Sequence, residues 1–220
     1  MKRRQSGFTL IEIAIVLVII GLLLGGVLKG QELINSAKVK NLANDFRNVP
    51  VYIYGYQDKF KALPGDDAAA VTHTVTGNMA STNGTVGNGL IEGMWNSTTP
   101  TDESYLFWQH VRLAGFAAGS TVAGAADYIP KNAVGGSIGV TNSLAANTPI
   151  AGIKGTYIVC SDNIPGRFAK QLDATLDDGN TATGSMMVTI VGTTGGAGGG
   201  PAEPNLSVID DQTWLVCMGF

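Results

Sequence analysis

Histidine is almost missing from this chain: there are two in 220 residues, His73 in a Thr-rich stretch and His110 in a segment that reads as helix. That scarcity removes the commonest general base and most metal-ligand patterns. The Ser/His pair that can be drawn, Ser104 with His110, is six positions apart, which puts the two side chains on different faces of a helix. No enzyme activity is expected, and His110 beside Trp108 reads as a partly exposed structural residue. Cysteine is equally scarce, with Cys160 and Cys217 alone. Neither has a histidine or a second cysteine at ligand spacing, so a metal pair is the weakest reading of them. Positive charge is also in short supply: 14 Lys and Arg stand against 17 Asp and Glu, and those after Lys61 are scattered. Phosphate-backbone binding needs clustered cations, so no nucleic-acid partner is expected. No internal repeat period stands out.

What the chain does have is one long apolar run. Phe8 to Leu28 is 21 residues, preceded by MKRRQSG and broken by a single acid, Glu12. At about 1.5 Å per residue the run reaches roughly 31 Å as a helix, enough to cross a bilayer. A carboxylate near the start of such a span costs about 2.5 to 3.5 kcal/mol on insertion scales, so it persists where it has a partner. A cut between Gly7 and Phe8 creates an α-ammonium near that carboxylate, which one helix or two neighbouring helices can use to neutralise the pair. Lys2, Arg3 and Arg4 hold the N-terminus in the cytoplasm and place everything after Leu28 outside the inner membrane, first periplasmic. A plain secretory signal has a shorter core of about 7 to 15 residues and a small-residue cleavage site. An ordinary single-pass anchor with an incidental Glu is the other bland alternative.

GFTLIEIAIVLVIIGLLL, with its basic leader, resembles the N-terminus of type IV prepilins and of the pseudopilins of type II secretion. The resemblance covers about the first thirty residues. It implies that the leader peptidase cuts after Gly7 and methylates Phe8, and that Glu12 pairs with the N-terminus of a neighbouring subunit, so Phe8 and Glu12 are the assembly residues. It further implies a filament of like chains and other pilin-like subunits, a prepilin peptidase/N-methyltransferase and an inner-membrane assembly platform as partners, and a head that ends on an extracellular pilus. Family members carry a glycine where this chain has Gly21, and a proline where it has Lys29. The missing proline leaves local melting of the helix less certain. Gly25 and Gly26 weaken it by about 1 kcal/mol each relative to alanine, and the three glycines read equally as a flexible or closely packed segment and as ordinary transmembrane glycine.

Beyond the apolar run, Val39, Leu42, Phe46, Val49, Ile53, Tyr56 and Phe60 follow alternating spacings of three and four, the stripe of a helix covered on one side. Pro50 should kink it, and Leu63, Pro64 and Gly65 should end it. The expected division is a leader at 1–7, a long helix at 8–63 with 8–28 in the membrane, and a head at 64–220. Thr99, Pro100 and Asp102 read as the cap and first turn of a helix ended by Gly115. Residues from there to about Pro149 read as glycine-rich and weakly patterned. TYIVC (156–160), SMMVTIVG (185–192) and TWLVCM (213–218) read as strands, RFAKQLDATL (167–176) as helix and GTTGGAGGG (192–200) as a loop. The expected fold is α+β: a long N-terminal helix packed on a small antiparallel sheet, which is also what the resemblance implies.

In an exported head Cys160 and Cys217 are expected to form a disulfide tying the first of these strands to the last, with two free thiols as the alternative. Once the leader is gone, 11 basic residues face 17 acids, a formal charge of −6. Acids crowd at Asp66 and Asp67 and at Asp173, Asp177 and Asp178 with Asn180. Such loops can hold Ca²⁺, but LDDGN lacks the twelve-residue spacing of an EF-hand, and Asp, Gly and Asn are ordinary turn formers. No metal and no cofactor is assigned from the sequence.

Overall fold

The computed structural model describes residues 9–144, 147–190 and 200–220. Contacts divide the chain into two units, Met1–Lys38 and Val39–Phe220. One helix, α1 (Leu10–Phe60), runs through both. In the first unit its apolar side chains are exposed, Leu10, Ile11, Leu17, Leu22, Leu23 and Leu28 among them, and the most apolar stretch is wholly unburied. This helix is long and apolar enough for a single-pass membrane anchor.

From Val39 onward the stripe behaves as its spacing requires. Val39, Leu42, Phe46, Val49, Ile53 and Tyr56 are buried, and Phe60 is half-buried. Helix assignment continues through the buried Pro50, because packing of the stripe on either side outweighs one missing backbone donor. The end comes earlier than Leu63. Lys61 takes a positive φ of 56° after its N–H bonds the Gln57 carbonyl, closing the helix at Phe60.

After α2 (Ala70–His73), α3 spans Glu103–Leu113. It starts three residues beyond Pro100, which corrects the expected cap. Asp102 is the N-cap residue, but its carboxylate is taken by Thr82 and Asn83 on one oxygen and by Ser97 on the other, so Thr99 to Asp102 is a turn and not a capping box.

The sheet has four antiparallel strands, β1 (Ile138–Asn142), β2 (Tyr157–Pro165), β3 (Met186–Ile190) and β4 (Thr213–Gly219), in the order β1-β2-β4-β3. Helix α4 (Gly166–Leu176) follows β2 directly. β1 corrects the reading of the stretch to about Pro149 as glycine-rich and weakly patterned. All five of its residues are buried, so no alternation marks it, and Gly139 is needed because the Trp95 carbonyl oxygen would sit 1.8 Å from a Cβ there.

Both faces of the sheet are covered. Val140, Val159, Val188 and Val216 join the core built from α1, α3 and α4; Ile158, Cys160, Met187, Leu215 and Cys217 point the other way, onto Trp95, Ile150 and Ile153. Two-sided burial explains why the strands read as continuous apolar runs. Most of the 192–200 loop lies outside the described residues; Gly200 pairs with Ile150.

Candidate functional site

Gly7 and Phe8 lie outside the described residues, and the site begins at Thr9. Its Oγ1 accepts the Glu12 N–H at 3.3 Å, while its own N–H and hydroxyl donate to Glu12 Oε2 at 2.8 and 2.7 Å. This is a reciprocal capping box: the acid three residues into the helix reaches back to the residue that caps it. Sequence reading passed over it, although Thr9-Leu-Ile-Glu12 just ahead of an apolar run is its signature. Glu12 thus has a local role besides any role between subunits. A carboxylate in the first turn also suits the positive end of the helix dipole. Gly21, Gly25, Gly26 and Gly30 have open space around them, so any close packing they serve involves something other than this chain.

In the head, Cys160 and Cys217 form a disulfide between directly opposed residues of β2 and β4. The bond joins neighbours in the sheet, and β2 is the second strand of four because β1 precedes it.

His110 is fully buried, which corrects the expectation of partial exposure. Its Nδ1 accepts the Gly65 N–H at 2.9 Å and its Nε2–H donates to the Asn78 carbonyl at 2.7 Å. Burial holds it below the usual histidine range, as a neutral tie between the end of the α1 linker and the 78 loop. Ser104 is occupied elsewhere, donating to the Met94 carbonyl at 2.9 Å. The two are not brought together as a nucleophile and base.

Asp66 and Asp67 lie side by side and point into different networks. Asp67 accepts Tyr56 O–H at 2.6 Å, His73 Nδ1–H at 2.7 Å and the Ala69 N–H at 2.8 Å. Burial pushes it up, but these donors outweigh burial and hold it below the usual carboxylate range. Asp66 sits in a cradle of backbone N–H groups from Gly87, Asn88 and Gly89. The cradle needs Gly87 and Gly89 at φ of 86° and 83° to turn successive amides inward. Beside it Glu103, also fully buried, accepts the Glu92 N–H at 2.7 Å and is pushed up to about 7, first by burial and then by the charges of Asp66 and Glu92. This carboxylate network is structural in form: it docks the 84–93 loop onto the start of α3. The second acidic cluster, Asp173, Asp177 and Asp178, converges at the C-terminal end of α4.

Residues 2–28 match the prokaryotic N-terminal methylation motif. Comparison with curated proteins and with solved structures finds no match for the chain. The motif and the exposed apolar helix that follows it agree: the chain carries a type IV prepilin- or pseudopilin-type N-terminal segment, joined to an α+β head.

Proposed function

We propose that this protein is a structural subunit of a type IV pilus-like filament, cut after Gly7, methylated on Phe8 and polymerised through the first half of α1. The observation that carries the reading is the pairing of the methylation motif at residues 2–28 with a helix whose apolar side chains are unburied in the single chain. Such a surface is covered first by lipid and then, in a filament, by the same segment of other copies. An unpaired ammonium at Phe8 is costly in that bundle, so each incoming subunit gains by placing it beside the Glu12 carboxylate of a neighbour, which also sets the axial register. A pseudopilin role in type II secretion is the second reading, and Lys29 in place of proline favours it. The long disulfide-bonded head favours the pilus. A membrane-anchored exported domain that never polymerises is the third.

The capping box sharpens the test. Glu12→Gln keeps a side chain able to cap Thr9 but removes the charge, whereas Glu12→Ala removes both. In a strain lacking other copies, intact mass of the wild type should show loss of MKRRQSG and gain of one methyl group. Both variants should be inserted and processed, yet give few filaments by electron microscopy. Filaments from Glu12→Gln at wild-type abundance would mean that the charge is not the assembly contact. A mature chain beginning at Met1, in a host with working prepilin peptidase, sinks the processing step.

A further inference from the structure

A cleft of about 530 Å³ opens at the C-terminal end of α1, wholly within the second unit. That volume lies in the range of small-molecule sites. Tyr54 and Phe60 of α1, Tyr157 at the start of β2 and Phe220 after β4 give it aromatic walls. Tyr157 stacks on Phe220 at 5.7 Å and meets Tyr54 edge-on at 6.2 Å, while Phe60 stacks on His73 at 5.0 Å. Tyr157 is buried, and its hydroxyl has no hydrogen-bond partner among the described residues. Burial, and then Tyr54 beside it, hold that hydroxyl well above the usual tyrosine range, so the wall is neutral there.

The charged groups at the cleft are already spent. Asp66 is 3% exposed and accepts three backbone amides; Asp67 is 1% exposed and accepts from Tyr56, His73 and Ala69. Lys61 gives its ammonium to the Asp58 carboxylate and carbonyl. The two buried acids repel an anion, yet they have almost no open oxygen for an incoming ammonium. What remains free is uncharged. The Gln57 amide and the Thr156 hydroxyl make no hydrogen bond among the described residues. Asp67 is ionised and can only accept, so His73 Nδ1 carries the proton and Nε2 of the neutral ring is a bare acceptor. With the Nδ1 edge against a buried carboxylate, the exposed 30% of the side chain is its Nε2 side.

We infer that this cleft binds a small uncharged aromatic molecule carrying a hydroxyl, a phenol, with its ring against Tyr54, Tyr157 and Phe220 and its O–H donating to His73 Nε2. Aromatic walls favour a ring, through offset-stacked and edge-on contacts. An unpaired acceptor of fixed tautomer favours a donor on that ring. The sealed acids disfavour its carboxylated and phosphorylated relatives. None of these groups lies before Val39, so ligand binding and filament assembly can fail independently.

Two histidines in the whole chain make the test direct. The full chain, labelled with ¹⁵N only at histidine and purified in detergent, is followed by imidazole ¹⁵N NMR at pH 8, and His73→Gln assigns the two rings. Adding 4-methylphenol should move the bare His73 nitrogen toward the hydrogen-bonded position that His110 Nδ1 already occupies, with half-saturation at about 1 mM, while His110 stays still. Tyr54→Ala removes an exposed wall; it should leave the unliganded spectrum unchanged and raise the half-saturation concentration about tenfold. The same shape without a donor, 4-methylanisole, and the anion 4-methylbenzoate should both leave His73 unmoved. A His73 signal indifferent to 4-methylphenol, a Tyr54→Ala chain that responds like wild type, or an equal response to the ether, the anion or 4-methylbenzylammonium would overturn the site. Tighter binding of acetyl-Ala-Tyr-Ala-amide than of 4-methylphenol would overturn the free ligand in favour of a tyrosine on a partner chain.

Discussion

Single side chains carry much of this head's specificity, and Glu103 shows how. It is fully buried beside Asp66 and Glu92, and its folded pKa of about 7 stands above the ordinary 4.5. Between those two values the folded protein keeps a proton that the unfolded chain has released. The contribution of Glu103 to stability is therefore present at low pH and falls as pH rises through that window. Glu103→Gln mimics the protonated acid, so it should flatten that part of the profile. Thermal unfolding at pH 5 and pH 8 should show wild type losing Tm relative to Glu103→Gln at the higher pH. Parallel profiles for the two proteins would show that Glu103 is ionised in the fold throughout. The same scale explains why the network was not legible beforehand. Asp66 and Asp67 are adjacent in sequence, yet one meets three backbone amides and the other a tyrosine and a histidine. Those partners lie up to 23 residues away, and no local pattern records them.

At the scale of elements, the N-terminal helix was legible from its two patterns, an apolar run with one acid in it and then a three-four stripe. Its end was misplaced by three residues because Pro64 is a loud signal and the turn at Lys61 a quiet one. β1 was invisible because it has no alternation, all five residues being buried, and because Gly139, Thr141 and Asn142 break the apolar run that marks the other strands. The α3 start was misplaced because Asp102, a good capping residue by type, spends its carboxylate on Thr82, Asn83 and Ser97. The disulfide also belongs to this scale. It fastens β2 to β4 in the middle of the sheet, on the face against Trp95, Ile150 and Ile153. With the cysteines 57 positions apart, the chain-entropy account gives about 4 kcal/mol of stabilisation. Cys160→Ala with Cys217→Ala should therefore lose about 2 to 5 kcal/mol in urea unfolding and lower subunit abundance. Neither cysteine of the exported wild type should take up a thiol label without reductant, and labelling of both would refute the bond.

For the whole molecule, the two units differ in what stabilises them. The first, through Lys38, has no buried residue among those described and presents apolar surface from Leu10 to Ile34. The second, Val39–Phe220, contains every buried residue of both hydrophobic clusters. A chain beginning at Val39 should accordingly be soluble without detergent and unfold cooperatively, with a Tm close to that of the detergent-purified full chain. Near-UV circular dichroism and sedimentation would check this. A truncated chain without a cooperative transition would show that the head depends on the preceding helix turns for its fold.

The sequence by itself determined the methylation-type N-terminus, the long helix and the α+β class. Those features are written in consecutive residues: a basic start, an apolar run with one acid in it, and periods of 3.6 and of strand length. It also marked both cysteines and both acidic clusters. Only the tertiary structure decided the strand order β1-β2-β4-β3, the burial of His110 and the different fates of the acids. Asp66 and Asp67 find donors across the fold, while Asp173 is sealed in without one. The reason is physical: the charge state and partners of a buried polar group depend on what long-range packing brings beside it, and that is set by the whole core at once.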